Sequence, residues 1–106
     1  MKQTESQLVK ACLELLAVKR IFSNRQNTGA FKTDKGFYKF GILGAGDIVA
    51  VVDSRHIEIE CKTGRNKQST AQVAYQKELE SAGGLYWLIR DVSELVDKLE
   101  NLKHLN

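Results

Sequence analysis

Two carboxylates and a lysine lie in neighbouring apolar stretches of the chain, where side chains of these types could act together. Asp47 opens the stretch 47–52, whereas Glu60 and Lys62 lie in the stretch 57–62. Mg²⁺ prefers oxygen ligands, usually one or two carboxylates together with water and substrate phosphate. A bound Mg²⁺ lowers the pKa of a water molecule, and a nearby lysine can orient that water or offset developing negative charge. These residue types therefore indicate metal-dependent phosphodiester chemistry, provided that the fold brings them together.

The two stretches are predicted to form an antiparallel hairpin with a turn within residues 53–56. If the turn is centred between residues 54 and 55, Asp47 lies opposite Lys62, and Glu60 shares their face because alternate residues of a strand point the same way. The other face then receives only apolar residues, which are Ile48, Ala50, Val52, Ile57, Ile59 and Cys61. A turn with an odd number of residues, or a bulge, would shift the register and separate the three side chains. The alternative interpretation is a solvated strand face that carries ordinary charged residues.

The elements around this hairpin are predicted from hydrophobic periodicity and turn signals. In chain order they are a helix at about 5–18, strands at 21–27, 37–40, 47–52 and 57–62, a helix at 69–82, a strand at 85–90 and a helix from 91 onwards. The helical crossover is long enough to make the strands at 57–62 and 85–90 parallel. We therefore expect an α/β fold in the order α-β-β-β-β-α-β-α, with helices flanking a central mixed sheet. Residues 28–36 are predicted to form a loop or an open hairpin, and the conformation of 28–46 is the least predictable.

Length, composition and cysteine content restrict the class of protein. The chain has 106 residues, of which 42% are apolar and 27% are charged, and this is typical of a single folded domain spanning 1–106. The two cysteines form no CxxC pair and indicate no disulfide framework. No stretch is long and apolar enough to span a membrane, and the first residues lack the apolar core of a signal peptide. We therefore expect an intracellular protein with reduced thiols.

Charge is unevenly distributed along the chain, although the formal net charge is only +3. Residues 1–40 and 61–77 carry net charges of +5 and +4, whereas the intervening residues 41–60 carry −3. Basic segments around a short acidic one suit a metal-dependent nuclease, because acids bind the cation and bases bind phosphate groups. Many proteins of similar charge bind no nucleic acid, so this pattern alone identifies no function.

The acidic residues and the lysine also match a sequence signature. Asp47 lies thirteen residues before Glu60-Cys61-Lys62. Together these four residues resemble the D…ExK signature of the PD-(D/E)xK nuclease superfamily. The surrounding residues narrow the resemblance to the VRR-NUC domain, the virus-type replication–repair nuclease family. The segments that resemble it are Arg25 to Ala30, Gly44 to Ile48, Glu60 to Gly64, Gln72 with Tyr75, and Ala82 to Gly84. The chain departs from the family at Gly46, where the signature's proline is missing, and at Tyr75, where many relatives have tryptophan.

The resemblance implies the PD-(D/E)xK restriction-endonuclease-like fold and a Mg²⁺- or Mn²⁺-dependent site. Asp47 and Glu60 would be metal ligands, together with the backbone carbonyl of Cys61. Lys62 would be the catalytic lysine. No small-molecule cofactor is implied.

Two further residues are assigned to the site by the same resemblance. Glu5, on the first helix, would support the metal or its waters, and Gln72 would act near the lysine and the substrate phosphate. Both also have a structural interpretation, because an acid favours the start of a helix and Gln72 can complete a capping box with Ser69.

The implied activity is hydrolysis of DNA phosphodiester bonds by an endonuclease, with 5′-phosphate and 3′-hydroxyl products. Relatives of this size act on branched DNA such as Holliday junctions and often dimerise, so we expect a homodimer in the bacterial cytoplasm or in a phage-infected host. DNA contacts are expected from five residues, namely Arg25, Asn27, Lys32, Arg65 and Lys67. The alternative is a non-catalytic DNA- or RNA-binding module that retains the nuclease fold. Such a module would have no need of an intact set of Asp47, Glu60 and Lys62.

Overall fold

The computed structural model describes residues 2–26 and 29–103, of which 29–32, 37–40 and 103 are described by their backbone alone. The elements are α1 (Glu5–Val18), β1 (Phe22–Arg25), β2 (Gly29–Thr33), β3 (Gly36–Phe40), β4 (Ile48–Val52), β5 (Arg55–Cys61), α2 (Thr70–Ser81), β6 (Leu85–Ile89) and α3 (Val92–Lys103). The sequence carries the capping-box pattern at Thr4–Gln7 and at Ser69–Gln72, and α1 and α2 begin at these two positions. In each box, Thr4 or Ser69 exchanges hydrogen bonds with a glutamine three residues on.

Four strands form a mixed sheet in the order β1-β4-β5-β6. β4 pairs antiparallel with β1 and β5, whereas β5 and β6 are parallel and are connected through α2. This arrangement confirms the predicted α/β class, with a mixed sheet flanked by helices. None of the helices in the described ranges combines the length and apolar character that crossing a membrane requires.

The segment between β1 and β4 forms a separate two-stranded hairpin, β2–β3. The sequence analysis left this segment as a loop or an open hairpin and predicted one strand there, so the chain has one strand more than expected. Gly36 explains the tight turn, because its φ of +121° lies in a region that L side chains rarely adopt. The backbone amide of Lys35 also donates to Thr33 Oγ1 at 3.2 Å, which fixes the turn from within.

The β4–β5 hairpin turns at Asp53 and Ser54, one residue earlier than predicted. Both residues have positive φ, 49° and 68°, as in the two-residue turns that match the twist of a hairpin. Ile48 therefore pairs with Ile59, and extending this register by one residue brings Asp47 level with Glu60 rather than with Lys62. The shift is two residues, an even number, so every side chain remains on its predicted face.

The two faces of the sheet have different functions. One face carries the apolar residues of β4, β5 and β6, which pack against α1 and α3 in the core; its members include Leu8, Cys12, Ile48, Ile57, Ile59, Trp87, Leu95 and Leu99. The other face carries the acidic side chains of β5 and is covered by α2, as the hydrogen bonds from Gln72 and Tyr75 demonstrate. The strand β5 is therefore anchored in the core by its apolar face, and its opposite face presents the candidate site.

Candidate active site

The candidate site is built on β5, where acidic and apolar residues alternate. Ile57, Ile59 and Cys61 are buried in the core, and Glu58 and Glu60 lie between them on the α2 face. Only 1% of Glu58 and 4% of Glu60 is exposed. Two carboxylates removed this far from water need hydrogen-bond or charge partners. The partners of the two glutamates differ.

Asp47 is brought to β5 by the turn Gly44–Gly46. A Cβ at Gly44 would lie 2.4 Å from the carbonyl oxygen of Ala71, so the turn packs against α2 without room for a side chain. A Cβ at Gly46 would lie 3.0 Å from Cβ of Glu58. Asp47 itself is half-buried, and its Oδ2 accepts a hydrogen bond from the backbone amide of Cys61 at 2.8 Å. The predicted proximity of Asp47 to the end of β5 is therefore present.

Glu60 lies between cationic, amide and acidic neighbours. Its Oε2 accepts a hydrogen bond from Gln72 Nε2 at 2.7 Å and lies 3.7 Å from Lys62 Nζ. Burial and the adjacent Asp47 carboxylate raise the pKa of Glu60 to about 7, although Lys62 and Gln72 act in the opposite direction. The pair of carboxylates therefore carries more negative charge than its protein neighbours neutralise.

Gln72 completes the predicted capping box and also contacts Glu60, whereas its predicted action on a substrate phosphate stays a prediction. As the third residue of α2 it completes the capping box, because its Oε1 accepts from the backbone amide of Ser69 at 2.8 Å. The Nε2 of the same amide group donates to Glu60. The start of α2 is thus tied directly to the acidic pair, and the carboxylate of Glu60 is held in one orientation.

Sequence reasoning missed Glu58, which is the most completely hydrogen-bonded side chain near the site. Its Oε1 accepts from the backbone amide of Gly46 at 2.9 Å and from Gln26 Nε2 at 3.0 Å. Its Oε2 accepts from the Tyr75 hydroxyl at 2.5 Å and lies 2.8 Å from His56 Nε2. Burial alone would raise the pKa of Glu58, but these hydrogen bonds outweigh burial and lower it.

The Glu58 network also fixes the backbone next to Asp47. Gln26 Nε2 donates to the carbonyl of Gly46 at 3.1 Å, and the backbone amide of Gln26 donates to the carbonyl of Asp47 at 2.7 Å. Together with the bond from Gly46 to Glu58, these contacts hold the peptide groups on both sides of the Asp47 side chain. The one sequence signal for this role is the spacing of Glu58, which places it on the same strand face as Glu60.

Glu5 is not brought into the acidic pair by any described contact. The Nδ2 group of Asn66 donates to Glu5 Oε1 at 3.4 Å, near the start of α1. This contact links α1 to the loop after β5 and agrees with a structural function at the helix start. The assignment of Glu5 to a metal or its waters stays a prediction.

The residues predicted to contact DNA lie at separate places. Arg25 ends β1, and Arg65 and Lys67 follow β5; all three are exposed. Asn27 lies outside the described residues, as does the side chain of Lys32. The structure therefore leaves three described side chains free to meet a polyanion and brings none of them into the acidic pair.

The side chains of the two cysteines belong to the core. Cys12 and Cys61 are both free and buried in the core, on the face opposite the acidic side chains. Hydrogen bonding to Cys12 and burial raise the pKa of the Cys61 thiol. Its sulfur is accordingly no candidate ligand, and only its backbone carbonyl was assigned to the site.

The donors at the site fit a hard divalent cation by their chemistry. Across residues 2–26 and 29–103, no three His, Cys, Asp or Glu side chains form a group that could hold a metal ion by themselves. Mg²⁺, however, is usually bound through only one or two carboxylates and retains several waters. Asp47, Glu60 and the carbonyl of Cys61 supply oxygen donors of this type, and a cation would offset the repulsion that raises the pKa of Glu60. The residues present thus fit Mg²⁺ or Mn²⁺.

No protein-family model matches the chain, and no curated protein matches it. The sequence motifs and the geometry of the site are therefore what support a functional assignment.

Proposed function

We propose that this protein is a Mg²⁺- or Mn²⁺-dependent DNA endonuclease of the VRR-NUC type, with the PD-(D/E)xK fold. The observation that carries the proposal is the pairing of the half-buried Asp47 with the buried Glu60 beside Lys62 on one face of the sheet. The motif order D…ExK points to the same three residues. A structural site would not need two carboxylates that share a desolvated position with less than full charge compensation.

The residues of the chain have separate functions in this proposal. Asp47, Glu60 and the carbonyl of Cys61 would hold the ion, and Gln72 keeps the Glu60 carboxylate oriented through its 2.7 Å hydrogen bond. When bound, the ion supplies an acidified water and neutralises charge on the phosphodiester. Lys62 is 15% exposed, so its ammonium group can reach both Glu60 and an entering substrate. It would orient the attacking water and offset negative charge that develops on the phosphate.

The substrate and assembly follow from the family resemblance. We propose branched DNA such as Holliday junctions as the substrate, products with 5′-phosphate and 3′-hydroxyl ends, and a homodimer that presents two sites to two strands. Exposed apolar side chains support an interface between copies: Ile42 and Leu43 before β4 are 60% and 71% exposed, and Val73 on α2 is 40% exposed. A monomeric mass by light scattering at tens of micromolar would contradict the dimer.

The activity is tested with a panel of labelled DNA that contains single strands, duplex, flap, fork and four-way junction. Wild-type and Glu60→Ala proteins are incubated with the panel in Mg²⁺, in Mn²⁺ and in EDTA. We expect cutting by the wild type only with the metal ions, and no cutting by the variant. DNA binding without cutting in any metal would replace the proposal with the non-catalytic binding module.

A further inference from the structure

A groove lies between the residues that precede α1 and the loop that follows β5. It has a volume of about 490 Å³, and its lining consists of Lys2, Gln3, Thr63, Gly64, Arg65, Asn66 and Arg90. Three of these residues are cationic and none is acidic. The remaining side chains are hydroxyl or amide groups, which donate hydrogen bonds. The lining therefore has the composition of an anion-binding surface.

The positive charge of the groove is not neutralised within the described part of the chain. The ion pairs found there are His56 with Glu58 and Lys62 with Glu60, so Lys2, Arg65 and Arg90 have no carboxylate partner within 4.0 Å. All three side chains are exposed. Three like charges around one groove raise the local positive potential, which favours an anion with several negative groups.

Arg90 also shapes the groove by holding its loop. Its guanidinium group donates to the carbonyl of Gly64 at 3.0 Å and to the carbonyl of Asn66 at 2.8 Å. Its own backbone amide donates to Glu94 Oε1 at 2.9 Å, which fixes the start of α3 to the same place. These carbonyl oxygens would otherwise repel a phosphate, but here they are occupied by Arg90. Because carbonyls are neutral, the guanidinium retains its full charge.

The groove begins at the residues that follow β5, the strand that carries the candidate active site. Thr63, in its lining, directly follows Lys62, and Asn66 contacts Glu5 at the start of α1. Because Thr63 adjoins Lys62 in the chain, a DNA strand with one phosphate at Lys62 can extend along this loop into the groove. Arginine and lysine, with amide and hydroxyl groups, are the usual partners of phosphate oxygens in DNA complexes.

We infer that this groove binds the phosphate backbone of the DNA strand next to the phosphate that is cut, through Lys2, Arg65 and Arg90. The inference takes its substrate from the proposed function, but it concerns binding and not chemistry. The sequence analysis expected a DNA contact from Arg65 alone of these three residues. The groove adds Lys2 and Arg90, which are far apart in sequence and are brought together by the fold.

The inference is tested by DNA binding in EDTA, where metal-dependent cleavage cannot interfere. The full-length wild type is compared with Lys2→Gln, with Arg65→Gln and with the double variant, on a fluorescently labelled duplex and a four-way junction. The matched control is Lys19→Gln, which makes the same charge change about 20 Å away at the opposite end of α1, where Lys19 lines a different cavity. Circular dichroism verifies that these exposed substitutions leave the fold intact.

Removing one cation that binds a phosphate should weaken the affinity about 8-fold near 0.1 M salt and reduce the salt slope, log K against log salt, by about 0.9. In the double variant, the decrease in the logarithm of the affinity and the decrease in the salt slope should each be about twice as large. Lys19→Gln should bind DNA like the wild type. Equal weakening by Lys19→Gln and the groove variants, unchanged binding by the groove variants, or no binding by the wild type would each overturn the inference. If the groove variants bind DNA more weakly but the wild type never cleaves DNA, the groove inference stands and the nuclease proposal fails. If the wild type cleaves DNA but the groove variants bind it as tightly as the wild type, the nuclease proposal stands and the groove inference fails.

Discussion

Glu58 and Glu60 lie two residues apart on the same strand and face, and both are almost completely buried. Their carboxylates nevertheless have opposite pKa shifts. Glu58 has four hydrogen-bond partners from four parts of the chain, and its pKa is lowered. Glu60 has one hydrogen bond from an amide, a lysine at 3.7 Å and a neighbouring carboxylate, and its pKa is raised to about 7.

This difference separates a carboxylate that holds the structure from one that is suited to bind a cation. The donors around Glu58 satisfy its charge completely, so the native protein stabilises its ionised form without any ligand. The surroundings of Glu60 leave part of the charge on the Asp47–Glu60 pair unsatisfied. A divalent cation would satisfy it, and this expectation leads to predictions that test the two glutamates against each other.

The largest expected effect is on catalysis by the residues around Glu60. Lys62→Met should slow DNA cleavage by about 1,000-fold, because the variant lacks the group that orients water and offsets negative charge. The measurement is single-turnover cleavage of the preferred DNA in Mg²⁺, with Lys19→Met as the control for removal of an exposed lysine outside the candidate site. Metal affinity should persist in Lys62→Met. Cleavage within about tenfold of the wild type would remove Lys62 from the catalytic set.

The next largest effect is expected on the stability of the fold when Glu58 is replaced. Glu58→Leu should lower the free energy of unfolding by about 4 kcal/mol, because the amides of Gly46 and Gln26 and the hydroxyl of Tyr75 lose their acceptor. Glu58→Gln is the matched control, since its side-chain oxygen can still accept two of these bonds. Urea unfolding at neutral pH measures both variants. Equal stability of the leucine and glutamine variants would contradict the anchoring function.

A smaller effect concerns pH. Because the folded state raises the pKa of Glu60 from 4.5 to about 7, it binds this proton more tightly than the unfolded state does. The associated stability is present below pH 4.5 and is lost as the pH rises to about 7, by up to about 3 kcal/mol. Urea unfolding of the wild type in EDTA should show this loss, and Glu60→Gln should not. The same pH dependence in both proteins would contradict the shifted pKa.

Glu58 has the opposite effect on the pH dependence of stability. Because the folded state lowers the pKa of Glu58, its contribution to stability is present at neutral pH and is lost on acidification.

The smallest effect is expected from Tyr75→Phe, which removes one of the four partners of Glu58. Burial and Glu58 raise the pKa of Tyr75 to about 12, so its hydroxyl stays a donor at neutral pH. Its removal should cost about 1 kcal/mol of stability, because one hydrogen bond to a charged group disappears while three partners remain. Thermal unfolding detects this change. A decrease as large as that of Glu58→Leu would mean that the Tyr75 hydrogen bond alone, rather than the four partners together, accounts for the stabilisation by Glu58.

Much of the fold could be predicted from the sequence because it depends on local signals. The capping boxes at Thr4 and Ser69 located α1 and α2, and the alternation in β4 and β5 placed Asp47 and Glu60 on one face. The register was wrong by two residues because Asp53 and Ser54 both adopt positive φ, which their residue types permit but do not require. The error left the face assignment intact because alternation has a period of two.

The Glu58 network could not be predicted, because it depends on contacts that are distant in sequence. Gln26 and Tyr75 lie 32 and 17 residues from Glu58 and meet it only after the sheet and α2 have packed. Conversely, Glu5 was assigned to the site by its place in the family pattern, whereas its described contact is with Asn66. Motif spacing identified the acids that are suited to chemistry, and it carried no information about the acid that holds them in place.

The most direct test of the account is DNA cleavage by two isosteric variants, Glu60→Gln and Glu58→Gln, at saturating Mg²⁺ and under conditions in which both are folded. Each variant replaces one carboxylate oxygen with an NH2 group, so the two differ only in which of the two glutamates loses its charge. We predict that Glu60→Gln cleaves at least about 1,000-fold more slowly than the wild type, whereas Glu58→Gln stays within about tenfold. Equal cleavage by the two variants, or full activity of Glu60→Gln, would contradict the division of functions between the two glutamates.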